Sequence, residues 1–98
     1  MTLAVRLREE ADQDLAAAAT WYEMHRPGLG QQFLDEAART IRRIAENPLT
    51  YPVMWRQTQR ALMHRFLFGI YFRVLGDIAV VVAVMHGSRH PRNWQRRP

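Results

Sequence analysis

The sequence predicts an α+β fold of order β-α-α-β-β-β, with a helical hairpin laid on one face of a small antiparallel sheet. Three observations predict it. Apolar residues alternate with polar or small ones near the start, recur at helical spacing over 11–22 and 33–44, and alternate again from about Arg60. Turn-forming pairs, Pro27-Gly28 and Asn47-Pro48, fall where one pattern gives way to the next. The chain has 98 residues, too few for two cores. Residues 1–98 therefore read as one domain, with 91–98 a basic C-terminal tail.

Leu3, Val5 and Leu7 alternate with Ala4, Arg6 and Arg8, a short strand with one buried face. Ala11, Leu15, Ala18 and Tyr22 then fall on one helical stripe. Glu9, Glu10, Asp12 and Asp14 occupy its first turns, where carboxylates favour the positive end of the helix dipole. A second helix carries Phe33, Ala37, Ile41 and Ile44, with Leu34 and Ala38 beside them. The tight connection from His25 to Gly30 makes the two helices antiparallel. Residues 49–58 read as a loop anchored by Tyr51 and Trp55. Strands follow near Arg60–Phe66, Gly69–Leu75 and Ile78–His86, the last two joined by a Gly76-Asp77 hairpin. Ile78 to Met85 is apolar throughout, the mark of a central strand.

All 14 basic residues are arginine. Residues 1–47 hold six arginines against eight acids, whereas residues 48–98 hold eight arginines against Asp77 alone. The second half is thus a concentrated positive surface that attracts an acidic partner. The absence of cysteine excludes a disulfide framework, a thiolate metal site and a cysteine nucleophile. The longest apolar run, Ile78 to Met85, is far short of the about 18 residues that span a bilayer. No signal peptide is legible at the start. A soluble, cytoplasmic protein is expected, with no cofactor and no metal.

The order and spacing of several segments resemble the RelE/ParE superfamily of type II toxins, and the ParE branch more closely. The matching residues are Ala11 to Tyr22, Pro27-Gly28-Leu29-Gly30 with Phe33-Leu34, and Asn47-Pro48 with Tyr51-Pro52. The closing meander is the most specific part: Arg65-Phe66, Ile70 to Val74, and His86 to Pro91 with Trp94. The resemblance implies a bacterial plasmid-stabilization toxin held inactive by a cognate antitoxin, in a hetero-oligomer with it. It further implies DNA gyrase as the target, operator DNA reached only through the antitoxin, and no membrane partner. The alternative that the superfamily implies is a RelE-like, ribosome-dependent mRNA endoribonuclease.

Cleaving RNA needs a base, an acid and cations on the phosphate. The resemblance places Gly69 where a ribonuclease carries an arginine and Leu62 and its neighbours where it carries lysines. Only Arg89 matches a phosphate-holding position, and Trp94 stands near the place of a tyrosine hydroxyl. These absences weigh against an enzyme. An improvised catalytic set would be His64, His86 and Arg89, with Arg65 and Arg73 nearby, against the simpler reading of His86 as a strand cap. His86 and His90 lack the helix and carboxylate that a metal site needs, and Ser88 has no nucleophile elbow around it.

Arg89, Arg92, Trp94, Arg96 and Arg97 interleave charge with an aromatic ring and are the expected target-binding residues. Arg89 is expected to be held by the central strand, and the residues past Pro91 to be mobile and separable from the core, although Trp94 has the alternative of packing back on the sheet. Trp21 is expected half buried and Trp55 beneath the helices. Strand alternation puts Val80, Val82 and Val84 on the core face and Ala79, Val81, Ala83 and Met85 on the opposite one. If the helices cover one face only, those four residues form an open apolar patch. An acidic, partly disordered antitoxin segment is expected to fold across it, with its carboxylates on Arg65 and Arg73.

Overall fold

In the computed structural model, which describes residues 2–98, the chain runs through β1 (Ala4–Leu7), α1 (Glu9–His25) and α2 (Leu29–Glu46). A 3₁₀ turn (Pro48–Thr50) leads to β2 (Val53–Trp55), β3 (Thr58–Leu62), β4 (Phe68–Leu75) and β5 (Ile78–His86), and α3 (Arg92–Gln95) closes the chain. The five strands form one sheet in the order β1-β5-β4-β3-β2, so the apolar β5 lies inside it, as its composition requires. Both helices of the hairpin cover the same face. Gly76, at φ 63°, turns the β4–β5 hairpin.

The hairpin is held at its turn by a side chain from outside α2. Gly28 caps α2 at φ 88°, a conformation that favours glycine, and offers no side-chain oxygen. Glu23 of α1 supplies the missing acceptor: its carboxylate takes the N–H of Gly28 and, at 3.0 Å, that of Gly30. The helices meet closely there, because a Cβ on Gly30 would lie 2.6 Å from the Ala19 carbonyl oxygen. Beneath the hairpin, Phe33 stacks on Tyr22 at 5.3 Å and stands edge-on to Phe66 and Phe68 at 5.2 and 5.0 Å.

Several expectations are corrected. The 49–58 segment contains a strand as well as a loop: β2 pairs antiparallel with β3. It has three residues and an irregular register, too short for alternation to be read. The sheet is mostly, not wholly, antiparallel, since β1 runs parallel to β5; alternation marks a strand but not its direction. On α2, Leu34 and Ala38 are exposed, while Glu36 and Thr40 are buried instead.

The largest correction concerns β5. Phe72 pairs with Val81 and Tyr71 with Ala83, so β5 carries one extra residue at this point. Such a bulge reverses which side chains face in. Ala79 and Val81 point at the helices, and so does Val84; Val80, Val82, Ala83 and Met85 join a second cluster on the other face. The alternation expected along the whole strand therefore holds only within each half.

Glu36 ties α2 to the loop between β3 and β4. Its Oε2 accepts the N–H of His64 at 3.0 Å, its Oε1 accepts from Arg39 at 3.1 Å, and Arg43 lies 3.9 Å away. Burial alone would raise its pKa. The His64 N–H and the two guanidinium groups outweigh that and hold it below the ordinary value of 4.5. A folded-state pKa below the unfolded one means that the stabilisation is whole above the unfolded value and fades as pH falls through the folded one. Urea unfolding followed from about pH 6 to about pH 3 will show wild type losing this part. Glu36→Gln will have a lower urea midpoint at the upper end and a flatter slope. Gly30→Ala will cost about 1–3 kcal/mol, read as a lower midpoint, because the backbone carbonyl of Ala19 must give way.

Candidate functional site

The segment after β5 is built into the fold. His86 ends the strand, and its Nδ1 accepts the Ser88 N–H at 3.0 Å with the Ser88 hydroxyl 2.8 Å away. The ring is thus a strand cap. Trp94 on α3 is 4% exposed and stacks on Tyr71 with centroids 4.5 Å apart; Trp55 meets it edge-on at 6.5 Å. Val80, Val82, Ala83 and Met85 complete this cluster. The expectation of a mobile arm outside the core is corrected, since the chain packs Trp94 back on the sheet. Trp55 is likewise on this outer face rather than beneath the helices.

Arg97 fixes the last turn. Its Nη1 donates to Asp14 Oδ2 at 2.6 Å and to the Val82 carbonyl at 3.1 Å, and its Nη2 donates to Asp14 Oδ1 at 3.1 Å. The Arg97 carbonyl accepts from Arg73, whose Nε also donates to Thr58. Asp14 read in the sequence as one acid of a helix start; its role depends on a partner 83 positions away.

Of the five expected target-binding residues, Arg89, Arg92 and Arg96 are exposed. Among the described residues their side chains make no hydrogen bond or ion pair. Trp94 and Arg97 are engaged internally. Arg56, Arg73, Arg96 and Arg97 line a hollow of about 400 Å³ beside Trp55, with no Asp or Glu in its wall. Arg56 was not singled out in the sequence. It holds φ 52°, costly for a residue with a side chain, and lays its guanidinium over Trp55 at 4.4 Å.

The four residues expected to form an open face, Ala79, Val81, Ala83 and Met85, are all buried, two under the helices and two under the outer cluster. The bulge splits them, and Trp94 covers what remains. Arg65 and Arg73 are not neighbours: Arg65 reaches Gln32 on α2, and Arg73 lies under the C-terminal segment.

A cleft of about 590 Å³ opens between α1 and the second half of β5. Ala17 and Ala18 leave the space, and Trp21, 56% exposed, flanks it. His86 and Arg89 line the cleft, but His64 does not, so the improvised catalytic set is not assembled in it. Among the described residues no three His, Cys, Asp or Glu side chains gather as metal ligands. Nor is any helix long and apolar enough to cross a membrane.

The family model for the ParE toxin of the parDE type II toxin–antitoxin system matches residues 5–91. The fold is similar to that in a structure of the chromosomal ParDE toxin–antitoxin system from P. aeruginosa, with a TM-score of 0.78 at 15% identity. That match covers 87% of this chain and 96% of the other. A chain of the RelBE2 toxin–antitoxin complex from Mycobacterium tuberculosis is similar at a TM-score of 0.64 and 16% identity, over 88% of this chain and 99% of that one. No curated protein matches the sequence.

The arm is structural as well as exposed. Trp94→Ala will therefore destabilise the protein by about 3–5 kcal/mol, the usual cost of emptying a buried aromatic site. Thermal unfolding by circular dichroism measures it, and truncation after Pro91 will lower Tm further.

Proposed function

The chain belongs to the ParE toxin family of type II toxin–antitoxin systems, and we propose that it inhibits DNA gyrase and is neutralised by a cognate antitoxin. The family match over nearly the whole chain carries this reading. The residue chemistry supports it against the ribonuclease alternative. The chain has no lysine, the resemblance to the superfamily puts Gly69 where the ribonuclease branch carries an arginine, and the stem of Arg60 lies across that glycine, 3.1 Å from where a Cβ would be. Trp94 has no hydroxyl to offer and is buried against Tyr71. His86 uses Nδ1 to hold Ser88.

Target contact falls to Arg89, Arg92 and Arg96, with Trp94 and Arg97 holding the segment that carries them. Their guanidinium groups are free for carboxylates on a protein or phosphates on bound DNA, and a charge-assisted contact contributes about 1.5–3 kcal/mol when desolvated. The antitoxin supplies acidic groups to the same positive half.

Purified protein added to gyrase and plasmid will block supercoiling and trap cleaved DNA. Ribosome-dependent messenger cleavage with supercoiling untouched would instead establish the ribonuclease reading. The triple variant R89A/R92A/R96A will keep its thermal unfolding temperature and lose at least about tenfold in gyrase inhibition, the equivalent of 1.4 kcal/mol.

A further inference from the structure

β2 and β3 are joined by a two-residue turn, Arg56-Gln57. Hairpin turns this tight favour a positive φ at the first central residue, a place that glycine or asparagine fills at little cost. Here it is Arg56, at φ 52°. A larger side chain held in the left-handed region stores strain, and such strain gathers at sites that use the side chain. The turn brings the Arg56 guanidinium over Trp55, in the wall of the 400 Å³ hollow.

Three more guanidinium groups border that hollow, and they arrive from separate elements. Arg73 comes from β4; Arg96 and Arg97 come from the C-terminal segment. Arg73 is fixed in place: its Nε donates to Thr58 Oγ1 at 3.1 Å and its Nη2 to the Arg97 carbonyl at 3.0 Å, which leaves Nη1 without a hydrogen bond. Arg97 is matched by Asp14. Arg56, Arg73 and Arg96 are not matched. No Asp or Glu lies in the wall, and among the described residues no carboxylate stands within salt-bridge distance of these three. Like charges gathered in one concavity repel each other, and the concave wall focuses their field. An ordinary surface lets such groups spread apart. This one holds two of them where they are, Arg73 by hydrogen bonds and Arg56 by a strained turn.

We propose that the hollow is a binding site for an oligophosphate group, the pyrophosphate unit of a free or nucleotide-borne phosphate chain. Such a group packs several negative charges on linked phosphorus atoms. Three unmatched guanidinium groups reach them together through charge-assisted bonds, and the planar fork of arginine suits phosphate oxygens. A hollow of about 400 Å³ is of the size of small-ligand sites and holds more than one phosphate. A nucleic-acid strand fits it less well. It spaces its charges along the chain, one to each phosphodiester, and its bases need open rings to stack on. Trp55 is partly buried in the outer cluster, with Arg56 across one face. Recognition therefore falls on phosphate and not on base.

Arg56→Gly is the diagnostic substitution, because glycine accepts φ 52° without strain and the variant folds. Arg89→Ala is its control, since Arg89 is equally exposed but lies outside the hollow. Binding of sodium pyrophosphate to the full chain is measured by calorimetry at constant ionic strength for wild type and both variants, with circular dichroism to verify each fold. Wild type will bind pyrophosphate, and its Tm will rise more in pyrophosphate than in sodium chloride of the same ionic strength. Arg56→Gly will bind at least about tenfold more weakly, and Arg89→Ala will bind like wild type. ATP in place of pyrophosphate separates the sources: equal or tighter binding assigns the site to a nucleotide-borne chain, weaker binding to the free anion. No binding by wild type, undiminished binding by Arg56→Gly, or an equal loss in Arg89→Ala overturns the oligophosphate site. So does a short single-stranded DNA that binds through Arg56 when pyrophosphate does not.

Discussion

The carboxylate of Asp14 ties together three parts of the chain that otherwise meet mostly through apolar packing. It sits on α1, holds the Val84 N–H of β5, and grips Arg97 at the end of the chain. Without it the unpaired half of β5 would bury a backbone donor with no acceptor, a cost of about 1–3 kcal/mol. Arg97 would lose the contact that fixes it, and with it the carbonyl that Arg73 uses. The outer cluster around Trp94 depends on the same anchor, because α3 is a single turn and cannot hold itself in water. One short mismatch, a four-residue β1 beside a nine-residue β5, thus determines the position of the helix, the closing segment and the cleft between them.

The distribution of charge follows from this economy. Three of the eight acids in the first half are engaged by groups of the fold. Glu23 caps α2, Glu36 anchors the loop before β4, and Asp14 closes the sheet edge. The arginines of the second half have few such partners. Arg89, Arg92 and Arg96 project outward, and Arg56 shares its hollow with Arg73, Arg96 and Arg97 and with no Asp or Glu. A half of the chain that exposes free guanidinium groups and holds a single acid orients an acidic partner from a distance before contact forms.

What the sequence reveals and what it hides have separable causes. The two helices, the Gly76-Asp77 turn and the internal place of β5 were legible because each depends on local spacing or on residues with strong backbone preferences. The bulge in β5 was not. Every residue from Ile78 to Met85 is apolar, so a change of parity leaves no mark in the pattern. Glu36 looks like a surface acid until the His64 N–H and two arginines are brought to it. In the candidate site, the exposure of Arg89, Arg92 and Arg96 could be read from charge alone. The burial of Trp94 depends on Tyr71 offering a flat ring across the sheet, and the pairing of Arg97 depends on a residue near the other end of the chain.

That separation in sequence governs how the molecule comes into being. β1 is made long before β5, the strand it pairs with. The helical hairpin has no sheet to rest on until the meander is complete, and Arg97 is needed to close the outer cluster. Contacts of such long range form slowly, because loop-closure entropy must be overcome before they stabilise anything. A chain growing from its N-terminus therefore exposes Phe33, Ile44 and the apolar face of α1 throughout most of its synthesis. The surface that carries Arg89, Arg92 and Arg96 takes shape only after the whole meander, so a translation product interrupted before β5 lacks the assembled arm altogether.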